Sequence, residues 1–445
     1  MTLDMTKGSP LKLLLIFSIP LIIGNIFQQV YSIVDTIIVG KYVGPLALAG
    51  VGTTGAIFFL INSLIIGMTS GFSILISQRF GAKDEKGVRF AIASCILLII
   101  IVTIISTFLM LILIGPLLKL MNTPPDIYEY AYTYISIIGA GLFTQTFYNM
   151  AASILRAMGN SKTPIYFLIL ACIINIILDL VFILGFDMGV AGAAYATNIS
   201  QGISAVLCII YSYKKFEILR LKKEDFKAPK DYYILHLKMG IPMSIQFSVL
   251  SFGIMIVQGA INAFGSSYIA AYTAANKVLN IAMQPLMTYG VSLATYVAQN
   301  RGAHDFKRIH YGVKTAVYMA VVTCIIIGII LVFYGKFFVL AFLDRSDVDM
   351  ISSAVMVINY AAPFYIALSF IFLFRNAVQS LSKPLMPMIS GAMELGGRVI
   401  IAYTLPNLIG FAGICLADPI AWVAGAIPLV IAYKVEINKL LKLQN

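Results

Sequence analysis

Residues Phe90–Gly115, FAIASCILLIIIVTIISTFLMLILIG, run for 26 positions without one charged side chain. Wound as an α-helix, the run is about 39 Å long, more than the ~30 Å hydrocarbon core of a bilayer. It is bounded by Arg79, Lys83, Lys86 and Arg89 on one side and Lys119 on the other, so its charges lie only at its ends. Working outward, similar runs recur through the 445 residues, at roughly Leu13–Gly40, Leu46–Ile76, Tyr130–Leu155, Pro164–Gly185, Val190–Tyr213, Met239–Ala263, Tyr268–Ala298, Thr315–Tyr334, Ile351–Phe374, Met388–Leu405 and Phe411–Tyr433. With 60% apolar residues, 11% charged ones and a mean hydropathy of +0.93, the chain cannot supply the water-facing shell of a soluble domain. The expectation is an all-α integral membrane protein with twelve transmembrane helices. The first run is too long for a cleavable signal peptide and carries Gln28, Gln29 and Asp35 within it.

The basic residues orient the chain. With the N-terminus inside, 25 of the 31 Lys and Arg fall in inside segments, and only Lys41, Lys119, Lys336 and Arg345 fall outside. The positive-inside rule then puts both termini in the cytoplasm of a multi-pass cell-membrane protein. The net charge of +12 marks a face among anionic lipids, and nucleic acid is not an expected partner. Cys95, Cys172, Cys208, Cys324 and Cys415 all sit in apolar runs without a Cys-x-x-Cys pair, and there is no HExxH, P-loop or Gly-x-Ser-x-Gly motif. An enzyme or an ATP-driven pump has nothing to stand on, and no cofactor is expected.

A shift of 221 residues lays Gln78-Arg79-Phe80-Gly81-Ala82 on Gln299-Asn300-Arg301-Gly302-Ala303 and Asp84 on Asp305. It also lays Ser161-Lys162 on Ser382-Lys383, and Gly189-Val190-Ala191-Gly192 on Gly410-Phe411-Ala412-Gly413. One constant shift argues for duplication. Six spans per half is an even number, so both halves enter the membrane in the same direction. The expected organisation is an N-terminal lobe over 1–213, a basic linker over 214–233 and a C-terminal lobe over 234–445, two like-oriented six-helix lobes around a central cavity. Such symmetry suits a transporter.

Charged residues inside spans are costly and need a partner or a role. Asn175 and Asp179 are four apart, hence on one helix face, and Asp35 falls at a similar depth. If the two acids converge, they form a pocket with neighbours such as Tyr134 and Thr197. One acid then holds a proton, or a bound Na⁺ neutralises the pair, oxygen ligands suiting a hard cation. Alternatively, Asp35 sits at the outer water line and Asp179 satisfies a polar neighbour. Glu394 and Arg398, also four apart, read as a structural ion pair. Lys277, between Asn276 and Asn280, lines the cavity, snorkels or pairs with Asp418. Gln28, Gln29, Gln246 and Tyr360 are further candidate cavity residues. Pro20 frees a backbone carbonyl in the first helix and marks a hinge or a static kink. Phe, Tyr and Met are abundant, and their adaptable walls suit lipophilic cations.

These residues together resemble the multidrug and toxic compound extrusion (MATE) transporters. The likeness runs through Ser18-Ile19-Pro20, Val34-Asp35-Thr36, Gln78-Arg79-Phe80-Gly81-Ala82, Arg156-Ala157-Met158-Gly159-Asn160-Ser161-Lys162-Thr163-Pro164, Asn175-Ile176-Ile177-Leu178-Asp179 and Gly192-Ala193-Ala194-Tyr195-Ala196-Thr197. The resemblance implies a twelve-helix monomeric antiporter exporting organic cations or drugs against inward H⁺ or Na⁺. Asp35, Asn175, Asp179 and Thr197 would hold the coupling ion, and the first helix would bend at Pro20. Where some members carry acids in the seventh and tenth helices, this chain has Gln246, Asn359 and Tyr360, a pattern similar to the DinF-type bacterial branch. A flippase for a lipid-linked saccharide or lipid precursor, from the same wider superfamily, is the alternative function. It would need a more cationic cavity, and only Lys277 and Arg398 are available.

Overall fold

The computed structural model describes residues 2–121 and 123–444. Among them every regular element is helical. The long helices are α1 (Pro10–Val43), α2 (Pro45–Gly81), α3 (Glu85–Leu120), α4 (Pro125–Ala140), α5 (Leu142–Ala157), α6 (Lys162–Gly185), α7 (Gly189–Lys215), α8 (Lys230–Asn262), α9 (Ser266–Gly302), α10 (Phe306–Val339), α11 (Val348–Ser380), α12 (Leu385–Ile409) and α13 (Phe411–Leu443). Ten of the described helices are long and apolar enough to cross a membrane. The fourth and eighth of the twelve expected spans differ from the rest. The fourth is broken at Gly141 into α4 and α5, and the eighth, α9, is interrupted by Asn276, Lys277, Asn280 and Gln284. The architecture is therefore an all-α, multi-pass membrane fold.

The duplication is written in the backbone. Asp84 caps α3 by accepting the Gly87 N–H at 2.8 Å, and Asp305 caps α10 by accepting the Arg308 N–H at 3.0 Å. The residue before each cap, Lys83 and His304, is left-handed with φ 58°. Gly44 and Gly265, and again Gly189 and Gly410, are matched pairs with positive φ just before or at a helix start. Equivalent turns with equivalent strain at the same offset are what a duplicated ancestor leaves behind.

Contacts divide the chain into two compact units. The first is Ile19–Ser244 with the chain before Met5, and the second is Met5–Ser18 with the chain from Ile245 onward. The basic segment 214–233 stays within the first unit, which runs on into α8. There α2 and α8 approach closely: a Cβ on Gly71 would lie 2.6 Å from the Gly240 Cα, and Ser244 Oγ donates to the Leu64 carbonyl at 2.8 Å. His236 is fully enclosed here, its Nε2 2.9 Å from the Ala91 carbonyl and its ring edge-on to Phe72. In the second unit the start of α1 packs on α9. Ser18 Oγ meets Ser292 Oγ at 2.7 Å, and the buried Met5 donates its N–H to Gln299 Oε1 at 2.9 Å. The two boundaries that fall inside helices each lie within two residues of a proline, Pro20 in α1 and Pro242 in α8.

Candidate functional site

Four helices of the first unit bring one cluster together. Asp35 is carried by α1, Tyr134 by α4, Asn175 and Asp179 by α6, and Thr197 by α7. Asp179 and Asn175 are fully buried, while Asp35, Tyr134 and Thr197 are half-buried. The carboxyls of Asp35 and Asp179 lie close enough to interact directly. Two ionised carboxylates this close would repel each other in a buried setting, and a proton or cation shared between them would relieve that repulsion.

The surrounding bonds are neutral. Thr197 donates its hydroxyl proton to the Ala193 carbonyl at 3.0 Å, which leaves its lone pairs to accept. The phenols of Tyr31 and Tyr134 both reach that hydroxyl. With its amide turned, Asn175 donates to Asp179 Oδ2 at 2.9 Å and accepts the Thr197 N–H at 3.1 Å. The reverse orientation leaves only a 3.4 Å contact to Thr197 Oγ1. Each acid keeps one buried oxygen, Oδ1, with no hydrogen-bond partner. No lysine or arginine interacts with either carboxyl among the described residues. The carboxyl oxygens and the Thr197 hydroxyl are the oxygen donors left at the site, since the Asn175 carbonyl is taken by the Thr197 N–H. Among the described residues no group of three or more His, Cys, Asp or Glu is placed to hold a metal.

Tyr31 was not singled out in the sequence, although it lies four residues before Asp35 and hence on the same helix face. Asn198 was also missed. Its side-chain amide donates to the Ile137 carbonyl at 2.6 Å beside the break between α4 and α5. A Cβ at Gly141 would collide with that amide at 2.1 Å, so only glycine fits there. Asn198 thereby anchors α4 one turn from Tyr134.

The second unit treats its acids differently. Glu394 and Arg398 form the expected pair at 3.0 Å, but the pair belongs to a longer chain. Arg375 bonds the other oxygen of Glu394 at 2.9 Å, and Arg398 Nε donates to Asp418 Oδ1 at 2.7 Å. Tyr272 donates to Asp418 Oδ2 at 3.2 Å and also meets the half-buried Asn276. Asp418 is therefore not the partner of Lys277, whose ammonium instead sits 5.4 Å from the centre of the Phe342 ring. Arg375, one residue beyond the apolar run Ile351–Phe374, is buried within α11.

The candidate cavity residues part company. Gln28 and Gln29 on α1, Lys277 and Asn280 on α9, and Tyr360 on α11 are exposed. Gln246 is fully buried and accepts from Gln379 Nε2 at 2.8 Å, so it faces a packed interior. Pro20 lies inside continuous α1, about four turns before Asp35.

The MatE family model matches this chain twice, over residues 20–181 and 242–404, the matches starting at Pro20 and Pro242. The chain is similar to the probable multidrug resistance protein YpnP of Bacillus subtilis (strain 168). The two are 29% identical over 366 residues, covering 81% of this chain and 80% of that protein. The probable multidrug resistance protein YoeA of the same organism is 28% identical over 361 residues, 80% of this chain and 78% of that one. Among solved structures, a crystal structure of MATE in the bent conformation superposes with a TM-score of 0.91 at 24% identity, covering 98% of both chains.

Proposed function

Because the chain belongs to the MatE family, and is therefore a transporter of small solutes rather than an enzyme, we propose that it is an antiporter of lipophilic organic cations. In this reading the export of one cation is driven by inward flow of H⁺ or Na⁺, bound at Asp35 and Asp179. One observation carries it. Two acids meet in a membrane-spanning bundle with unbonded oxygens and, among the described residues, no basic partner, which is costly unless a mobile cation comes and goes. Asn175 holds Asp179 through a neutral hydrogen bond, and Tyr31 and Tyr134 gather on Thr197 beside the pair, so these neighbours leave the carboxyls unneutralised.

Alternating access follows if the ion binds one state of the first unit more tightly than the other, since equal affinity would shift nothing. Pro20 supplies a place for α1 to bend between the states. The tying of Glu394 and Asp418 to arginines supports the DinF-type reading, in which the second unit holds no sodium site. It also weakens the flippase alternative, because Arg398 is already tied to Glu394 and Asp418, which leaves Lys277 alone of the two cations the sequence offered for such a cavity. The distribution of Lys and Arg supports cytoplasmic termini.

Dye export from proteoliposomes under an imposed proton or sodium gradient checks the proposal. The parent protein exports under one gradient, and Asp35→Asn or Asp179→Asn abolishes the dependence on it. Full gradient-driven export by both variants would refute the assignment.

A further inference from the structure

A second feature of the first unit is built from residues other than those around the acid pair. Where α3, α5 and α7 approach their charged ends, they enclose an apolar pocket of about 250 Å³. Its wall includes Ile92 of α3, Phe147 and Ile154 of α5, Tyr213 of α7, and Leu219 and Leu221 of the turn that follows α7. The hydroxyl of Ser212, also at the wall, is spent on the Cys208 carbonyl at 2.6 Å. A pocket so lined offers water almost no partners and accepts hydrocarbon instead.

The turn closing the pocket is held rigid by arginines. Arg89 donates to the carbonyls of Arg220 at 3.0 Å and Glu217 at 3.3 Å, and Arg220 donates to the Lys214 carbonyl at 3.0 Å. The lysines beside it have no such duty. Lys214 and Lys215 directly follow the pocket residue Tyr213, and Lys222 and Lys223 directly follow Leu221. All four are exposed, and none forms an ion pair among the described residues. An apolar slot thus opens beside a cluster of four exposed ammonium groups.

We infer that this pocket binds an acyl chain of an anionic phospholipid, with the lipid phosphate held by Lys214, Lys215, Lys222 and Lys223. The complementarity is of both kinds: hydrocarbon against the Ile92, Phe147 and Ile154 wall, and phosphate against the lysine rim. Basic segments beside membrane helices attract acidic headgroups by about fivefold per lysine. The site stands apart from ion coupling and rests on the antiport reading only for its cytoplasmic placement.

Photolabelling tests it on the whole protein in bilayers. The probe is phosphatidylglycerol with a diazirine on its acyl chain, and the matched phosphatidylcholine is the control. The expected result is labelling of residues 147–155 and 213–221 at least about fivefold stronger with phosphatidylglycerol. Replacing Lys214, Lys215, Lys222 and Lys223 together with Gln should bring the ratio close to one. Ala151→Phe, which fills the wall, should remove the label from these residues. If Ala151→Phe does not fold, the exposed lysine variant decides alone. Equal labelling by the two lipids in the parent, an unchanged ratio in the lysine variant, or label only elsewhere would overturn the inference.

Discussion

In the first unit, Asp35 and Asp179 face each other with, among the described residues, no basic side chain against them; in the second, Glu394 and Asp418 are clamped by Arg375 and Arg398. Both arrangements put carboxyls inside a helical bundle, yet they do opposite things with the charge. The clamped chain is neutral as it stands, two guanidinium groups against two carboxylates, and gains nothing from an added cation. The open pair is incomplete without one. Duplication built the two units alike, down to the caps at Asp84 and Asp305, and the charged chemistry then diverged. On the proposed reading, one unit kept a switchable site and the other built a fixed strut.

The contrast can be broken experimentally, most forcefully at the strut. Glu394→Gln leaves Arg375 and Arg398 facing an uncharged amide in a buried position, and should cost about 3–5 kcal/mol. A thermal melt of the purified protein reads this as a large drop in stability. Asp179→Asn should do the reverse. It removes a site that is unfavourable without its ion, so the melt stays near that of the parent while gradient-coupled export falls at least about tenfold, some 1.4 kcal/mol of coupling. A strongly destabilised Asp179→Asn and an unaffected Glu394→Gln would invert the account.

Smaller effects sharpen it. Asn198→Ala withdraws a donor from the Ile137 carbonyl, which still holds the Gly141 N–H at 3.0 Å, so stability should fall by only about 1 kcal/mol. Export should fall several-fold beside it, because Tyr134 loses its anchored helix, and cysteine cross-linking between α4 and α7 would report the loosening. The least change is expected at Lys277. Lys277→Gln removes a cation–π contact to Phe342 worth below about 1 kcal/mol, and a melt should barely move.

Much of the site could be read in the sequence because its signals are local. Asn175 and Asp179 are one helical turn apart, and carboxyls inside apolar runs stand out whatever they touch. Tyr31 carried the same signal relative to Asp35 and was overlooked among 24 tyrosines. The strut was harder. Its one short-range pair, Glu394 with Arg398, is visible as i, i+4, whereas Arg375 and Asp418 join through contacts between helices that no spacing encodes. Gln246 illustrates the same limit, since a glutamine inside a span reads alike whether it lines open space or bonds to Gln379. In the fold, a polar eighth span and a fourth span broken at Gly141 departed from the pattern of uniform apolar runs. The break depends on Asn198, which lies two helices away in the chain.

The most direct measurement is of the ion itself. Adding a transported cation to purified protein in weakly buffered solution should displace the bound H⁺ or Na⁺, read with a pH dye or a sodium electrode. The parent should release about one ion for each substrate bound, as a single positive charge between two carboxyls requires, and Asp179→Asn should release none. Release of the same amount from Asp179→Asn would place the coupling ion elsewhere and contradict the role given to the Asp35–Asp179 pair.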